Sequence, residues 1–236
     1  MSEAASSPVE IRRLWPSDKE AFRHHLVSLD LRSRHLRFGG GVSDDFLIHY
    51  AEHCFGKGDL LYGAFVDGKM VGAAELRSNQ AIWSEQAPFG RHIHAEAALS
   101  VDDGYRRRGI GEKLFKRILR AATNHGVETI EIVCLPENVG MLNLARKFSA
   151  HFTFEENWLT GRLTARAPTA FSLIREASGD ALDFGVALFD ARWRAAESRE
   201  KRAQRVNRQA EPASSSVCRS PNLGLAHIYL IGYNGR

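Results

Sequence analysis

The chain has 236 residues, 44% hydrophobic and 25% charged, with a formal net charge of +4. That length holds one generous domain or one domain with an appendage, and the composition is that of a soluble globular fold rather than a disordered or fibrous chain. No apolar run approaches the roughly 20 residues of a spanning helix, no signal-peptide pattern opens the sequence, and Cys54, Cys134 and Cys218 lack metal-ligand spacing, so a reduced cytoplasmic setting without a membrane is expected.

Val9 to Leu14 reads as a strand. Ser17-Asp-Lys-Glu20 has the form of a capping box opening a helix to about Leu29. After Arg37-Phe38 and the Gly39–Gly41 break, a second helix is expected near Asp44 to His53. Leu60 to Val66, the turn Asp67-Gly68 and Met70 to Leu76 predict a hairpin. Ile93 to Val101 is a strand that runs into an Arg- and Gly-rich turn. Ile110, Leu114, Ile118, Leu119 and Ala122 then recur at helical spacing and should face a sheet. Thr129 to Leu135 is another strand, stopped by Pro136. Asn138 opens a short helix, and Phe152–Glu156 with Gly161–Thr164 can close the sheet as a last hairpin.

The turn Tyr105-Arg106-Arg107-Arg108-Gly109-Ile110-Gly111 between strand and helix carries the most chemistry. The first amides of a helix lack intrahelical partners and carry partial positive charge, and Gly109 and Gly111 let a phosphate approach the backbone. A P-loop would need Gly-Lys-Ser/Thr, but Glu112-Lys113-Leu114 follows Gly111; a dinucleotide fingerprint would need a third Gly where Leu114 stands. Arg106-x-x-Gly109-x-Gly111 after a strand resembles the acyl-CoA pyrophosphate loop of the GNAT superfamily of N-acetyltransferases. The order of elements over residues 9 to 165, and the segment Leu135 to Phe148 around Asn138, resemble that superfamily as well.

The resemblance implies a GNAT fold of the α/β (α+β) class, with a mixed, mostly antiparallel central sheet flanked by helices. It implies a fourth strand splayed from the fifth, with the acyl-CoA arm in the gap. Backbone groups of Leu99, Ser100 and Val101 would then bind the arm and thioester, and Arg106, Arg107, Arg108, Gly109, Ile110 and Gly111 would cradle the pyrophosphate. Asn138 would lie near the arm, and it is equally suited to capping its own helix. Acetyl-CoA is the implied donor, used as cosubstrate without a metal. Glu96, on the strand before the loop, is the first candidate for general base, and Glu75 on the neighbouring strand is the second. The tyrosine that many relatives carry seven residues after the Asn, to protonate departing CoA, is replaced by Ala145. The implied function is transfer of an acetyl group to a primary amine by direct transfer; the alternative is a non-catalytic acyl-CoA-binding regulatory module.

Other clusters take plainer readings. His92, His94 and Glu96 would spread over about 13 Å of extended strand, too far to surround one ion. Cys134 reads as a small apolar residue inside its strand. Residues 24–53 and 152–163 correspond to acceptor-binding segments in the family, but their mixed charges, among them Arg32, Arg34, Asp44, Asp45, Glu155 and Glu156, select neither a small-molecule nor a protein amine. The sequence divides into an acyltransferase domain at 9–167, a helical extension at 168–210, and a linker and tail at 211–236. Phe184, Leu188, Phe189, Trp193 and Ala196 form an apolar stripe that should be covered by the main domain or by a second subunit, as in a homodimer. Seven Arg or Lys against two Glu between Arg192 and Arg208 read as a solvated helix face rather than a nucleic-acid surface, since no aromatic platforms accompany them.

Overall fold

The computed structural model describes residues 7–56, 59–78, 93–164, 178–193, 195–197 and 199. His92, Cys218, the 211–216 linker, the apolar tail at 225–233 and most of the basic run after Arg192 lie outside them. Residues Met1–Arg194 form one compact unit and Ala195–Arg236 another, in which residues 195–197 are helical.

The first unit is built on a seven-stranded sheet. In chain order its elements are β1 (Glu10–Arg13), α1 (Lys19–Ser28), α2 (Leu31–Phe38), α3 (Asp44–His53), β2 (Leu60–Val66), β3 (Lys69–Arg77), β4 (Ile93–Val101), α4 (Ile110–Asn124), β5 (Val127–Cys134), α5 (Val139–Lys147), β6 (His151–Glu155) and β7 (Trp158–Thr164). The spatial order is β1-β2-β3-β4-β5-β7-β6. Only β4 and β5 run parallel; every other pairing is antiparallel. This is the mixed, mostly antiparallel sheet that the sequence implied. Among the described residues no helix is long and apolar enough to cross a membrane.

The strands β2 and β3 alternate between two cores. Leu61, Phe65 and Ala73 pack beneath α1 and α3 with Phe22, Leu26 and Leu47, while Leu60, Tyr62, Ala74 and Leu76 pack on the other face with Ile110, Leu114, Phe115 and Ile118 of α4. Both faces are covered, so β2 is buried along its whole length and reads as a continuous apolar run.

Three local expectations differ from the structure. The helix α2 was not anticipated, because its apolar positions do not recur at helical spacing. Its caps are nonetheless standard: the Asp30 side chain accepts from the Ser33 amide at 2.9 Å, and Gly39 closes the helix in the left-handed region. The Ser17 capping box does not form. Asp18 is buried, accepts two 2.9 Å hydrogen bonds from Arg12 and a third from the Trp15 amide, and a 3-10 turn (Pro16–Asp18) leads into α1.

The third difference concerns the helix at residues 178–193. Most of its apolar stripe does not dock it: Leu188, Phe189 and Trp193 stay 42–66% exposed, while Phe184 meets Trp15 edge-on with ring centroids 5.1 Å apart. The docking face is acidic instead. Asp183 accepts from the Arg13 amide at 2.8 Å and from Arg117 at 2.9 Å, Asp190 from Arg12 at 3.2 Å, Asp180 pairs with Arg13, and Ala187 is fully buried between them. Positions 180, 183, 187 and 190 share one helical face, by which this helix docks within the first unit.

His125 caps α4 at its C-terminal end, where burial, and secondarily Arg13, hold its imidazole down at about 4. The unfolded chain protonates this side chain near 6.5. Between those values the unfolded state binds more protons, so the contribution of His125 to stability falls as pH is lowered from about 6.5 to about 4, and levels off below. Urea midpoints at pH 7 and pH 5 should differ more in the wild type than in His125→Gln.

Candidate functional site

The parallel pairing of β4 with β5 stops at Glu96 and Glu131. Beyond that point β4 stays bonded to β3 as far as Val101, while β5 stays bonded to β7 as far as Cys134. The two strands therefore part, and the β5-facing backbone of residues 97–101 has no sheet partner. Buried polar backbone demands a partner, which makes this edge a ready binding surface for an extended polar chain. The opening is a cleft of about 920 Å³ whose walls include Leu99, Ser100 and Val101 on one side and Val133 and Cys134 on the other.

The cleft ends against the N-terminus of α4. A 3-10 turn (Asp103–Tyr105) brings the chain round, Arg107 takes a left-handed φ of 59°, and Gly109 caps the helix at φ 75°. Only glycine adopts that backbone cheaply. No side chain caps α4, so its first amides are left toward the cleft. Arg107, Gly109, Ile110 and Gly111 line this end. Arg106 also lines it, but its guanidinium is already held: it donates to the Val101 carbonyl at 3.3 Å, to Asp103 at 3.0 Å and to Ser33 Oγ at 2.6 Å. Arg108 does not line the cleft. Its guanidinium stacks over the Tyr105 ring, 5.1 Å from the centroid.

Asn138 performs the capping role that its residue type suggests, accepting from the Met141 amide at 3.1 Å. Its amide nitrogen also donates to the Leu36 carbonyl at 3.2 Å, and the neighbouring Glu137 meets His35 at 3.2 Å. The helix α2 thus touches both walls, through Ser33 to Arg106 and through His35 and Leu36 to Glu137 and Asn138. It roofs the cleft, a placement that no local signal in the sequence announced. Cys134 is buried and burial pushes its thiol up, as suits a strand core residue. Ala145 is fully buried in the core with α4 and does not line the cleft.

The two acids named from sequence sit in different settings. Glu96 lines the cleft where the strands part, is exposed, and its side chain makes no ion pair or hydrogen bond with the described residues. Glu75 does not line the cleft. It is 2% exposed and locked, accepting from Arg37 at 2.6 Å and from the Tyr50 hydroxyl at 2.7 Å, with Cys54 Sγ at 3.6 Å. Burial and then the Glu75 charge raise the Tyr50 hydroxyl, and the same two causes push the Cys54 thiol up to about 12. Burial works against the charge on Arg37, yet Glu75 and Tyr50 outweigh it, so the guanidinium is held more firmly charged than usual.

The structure therefore gathers Glu96, Leu99, Ser100, Val101, Arg106, Arg107, Gly109, Ile110, Gly111 and Asn138 on one cleft, and leaves out Glu75 and Arg108. Sequence reasoning also missed His25. This histidine lies on the apolar face of α1 with Phe22 and Leu26, is 1% exposed, and meets Ser100 Oγ at 2.9 Å. A polar side chain interrupting an otherwise buried stripe was the available signal.

Comparison with known proteins yields one family: the model described as Acetyltransferase (GNAT) family matches residues 23–150. Several solved structures share the fold. The GNAT domain of S. lividans PAT is 17% identical, with a TM-score of 0.55 over 70% of this chain and 99% of that one. The yncA protein of Salmonella typhimurium, solved with its cofactor acetyl-CoA, is 17% identical, with a TM-score of 0.50 over 70% and 99% of the two chains. The ribosomal-protein-alanine N-acetyltransferase of Brucella melitensis is 17% identical, with a TM-score of 0.51 over 66% and 99%.

Proposed function

Because this chain belongs to the GNAT acetyltransferase family, we propose that it moves an acetyl group from acetyl-CoA directly to a primary amine of a small molecule or a protein. The observation that carries the reading is the parting of β4 from β5 after Glu96, in a cleft that ends at a helix N-terminus no side chain caps. An extended pantetheine arm finds unpaired strand backbone at Leu99, Ser100 and Val101. A pyrophosphate finds the amides of Gly109, Ile110 and Gly111, with the exposed Arg107 beside it and Arg106 holding the turn in shape. Asn138 fixes the opposite wall and the roof.

In the chemical step the amine nitrogen attacks the thioester carbonyl, and Glu96 takes the proton that the nitrogen must lose, directly or through one water. The C–S bond then breaks and CoA leaves as a thiolate that water protonates, since Ala145 supplies no acid. Glu75 is not the base in this reading: its carboxylate is already committed to Arg37 and Tyr50.

One observation favours a second reading, a module that binds acyl-CoA without turnover: Ala145 is buried in the core at the place of the usual acid. A single assay separates the two. The full chain is incubated with acetyl-CoA and a panel of free amino acids, polyamines and peptides, while thiol release and product mass are followed. Thiol release that depends on the amine is the expected result. Acetyl-CoA binding with no amine-dependent release across the panel would establish the binding module.

A further inference from the structure

Ser100, His25 and Asp102 stand in a line that the amine reaction does not use. Ser100 lines the cleft, its Oγ is 2.9 Å from His25 Nε2, and His25 Nδ1 is 3.0 Å from Asp102 Oδ1. The ring is almost wholly buried and the serine is 9% exposed, so water competes with neither contact. The Nδ1–Oδ1 approach is a close contact rather than an aligned hydrogen bond, and neither atom has another hydrogen-bond partner among the described residues. It is the one polar contact of either atom among the described residues. Asp102 itself is fixed, since its amide donates to the Val71 carbonyl at 2.9 Å and Lys69 lies 3.9 Å from its second oxygen.

Hydroxyl, imidazole and carboxylate in this sequence of contacts form a nucleophilic triad, which is recognised by geometry and not by fold. We propose that Ser100 is a second acyl acceptor, and that the protein hydrolyses acyl thioesters through an acyl-serine when no amine is bound. The thioester donor rests on the functional reading above; the nucleophilic serine does not. Ser100 Oγ bonds to the thioester carbonyl carbon and the C–S bond breaks. The hydroxyl proton passes to His25 Nε2 and then to the departing sulfur, which leaves as the CoA thiol. A water then attacks the ester carbon, giving its proton to His25. The acyl–Oγ bond breaks, the carboxylic acid leaves, and His25 returns the proton to Ser100. Asp102 orients the ring and stabilises its charged form throughout. The unpaired backbone of β4 beside Ser100 supplies N–H groups for the developing oxyanion.

The test uses two probes on the full chain. A fluorophosphonate, which needs no CoA site, is expected to label Ser100, as located by peptide mass spectrometry. Labelling should vanish in Ser100→Ala and slow by about 10²-fold or more in His25→Asn. Acetyl-CoA without amine should release thiol and leave a protein species heavier by one acetyl group, with both signals lost in Ser100→Ala. Wild-type protein that binds acetyl-CoA by calorimetry yet is neither labelled nor acetylated at Ser100 overturns the proposal, and this arm needs no variant to fold. Labelling at Ser100 without acetyl-CoA binding upholds the nucleophile and overturns the donor assignment instead.

Discussion

Glu96→Gln is expected to lower kcat by about 10²–10⁴-fold while leaving acetyl-CoA affinity unchanged. Gln keeps the length and polarity of the side chain but cannot take a proton. Glu96 is exposed at the point where β4 leaves β5, and its side chain holds no other group in place among the described residues, so little of the fold depends on it. Steady-state thiol release with the best amine of the panel, beside calorimetric titration with acetyl-CoA, reads the two quantities separately. If kcat holds within about threefold, proton removal passes to water and Glu96 loses its role. A loss of acetyl-CoA affinity instead would place Glu96 in donor binding.

Glu75→Gln should do the reverse. It leaves the Arg37 guanidinium charged, 10% exposed and facing a neutral amide. Breaking a buried pair in this way costs about 3–5 kcal/mol, because the surviving charge keeps its desolvation penalty and loses its partner. For a domain of this size that is a fall in Tm of roughly 10 °C. Tyr50 adds to the cost, since its hydroxyl also donates to Glu75 and its own ionisation is suppressed by burial. The double change Arg37→Met with Glu75→Leu should recover much of the loss, since neither charge is then left alone. Activity per folded molecule of Glu75→Gln should stay near wild type. A stable Glu75→Gln with kcat lowered as far as Glu96→Gln would exchange the two assignments.

These two glutamates mark where sequence reasoning stops. Both lie on strands, both flank the implied site, and strand alternation alone cannot rank them. What separates them is Arg37, 38 residues away from Glu75, brought beneath it by α2. The same holds for the triad, whose members Ser100 and His25 are 75 residues apart. It holds for the helix at 178–193, which carries an apolar stripe but whose three aspartates meet Arg12, Arg13 and Arg117.

The sequence by itself determined what depends on neighbouring backbone. The Arg106–Gly111 turn follows from glycine conformation and helix-end chemistry, and Asn138 from N-capping; both are settled within a few residues. The alternating runs of β2 and β3 and the period of α4 likewise set the elements and their order, because burial on a sheet imposes periods of two and of 3.6. Only the tertiary structure decided which acid lines the cleft, which arginine is spent on holding its own turn, that α2 roofs the cleft, and that His25 stands behind Ser100. Those outcomes depend on charges and hydroxyls meeting across elements far apart in the chain. A buried ionic or hydrogen-bonded group takes whichever partner the packing delivers, and no local pattern encodes that choice.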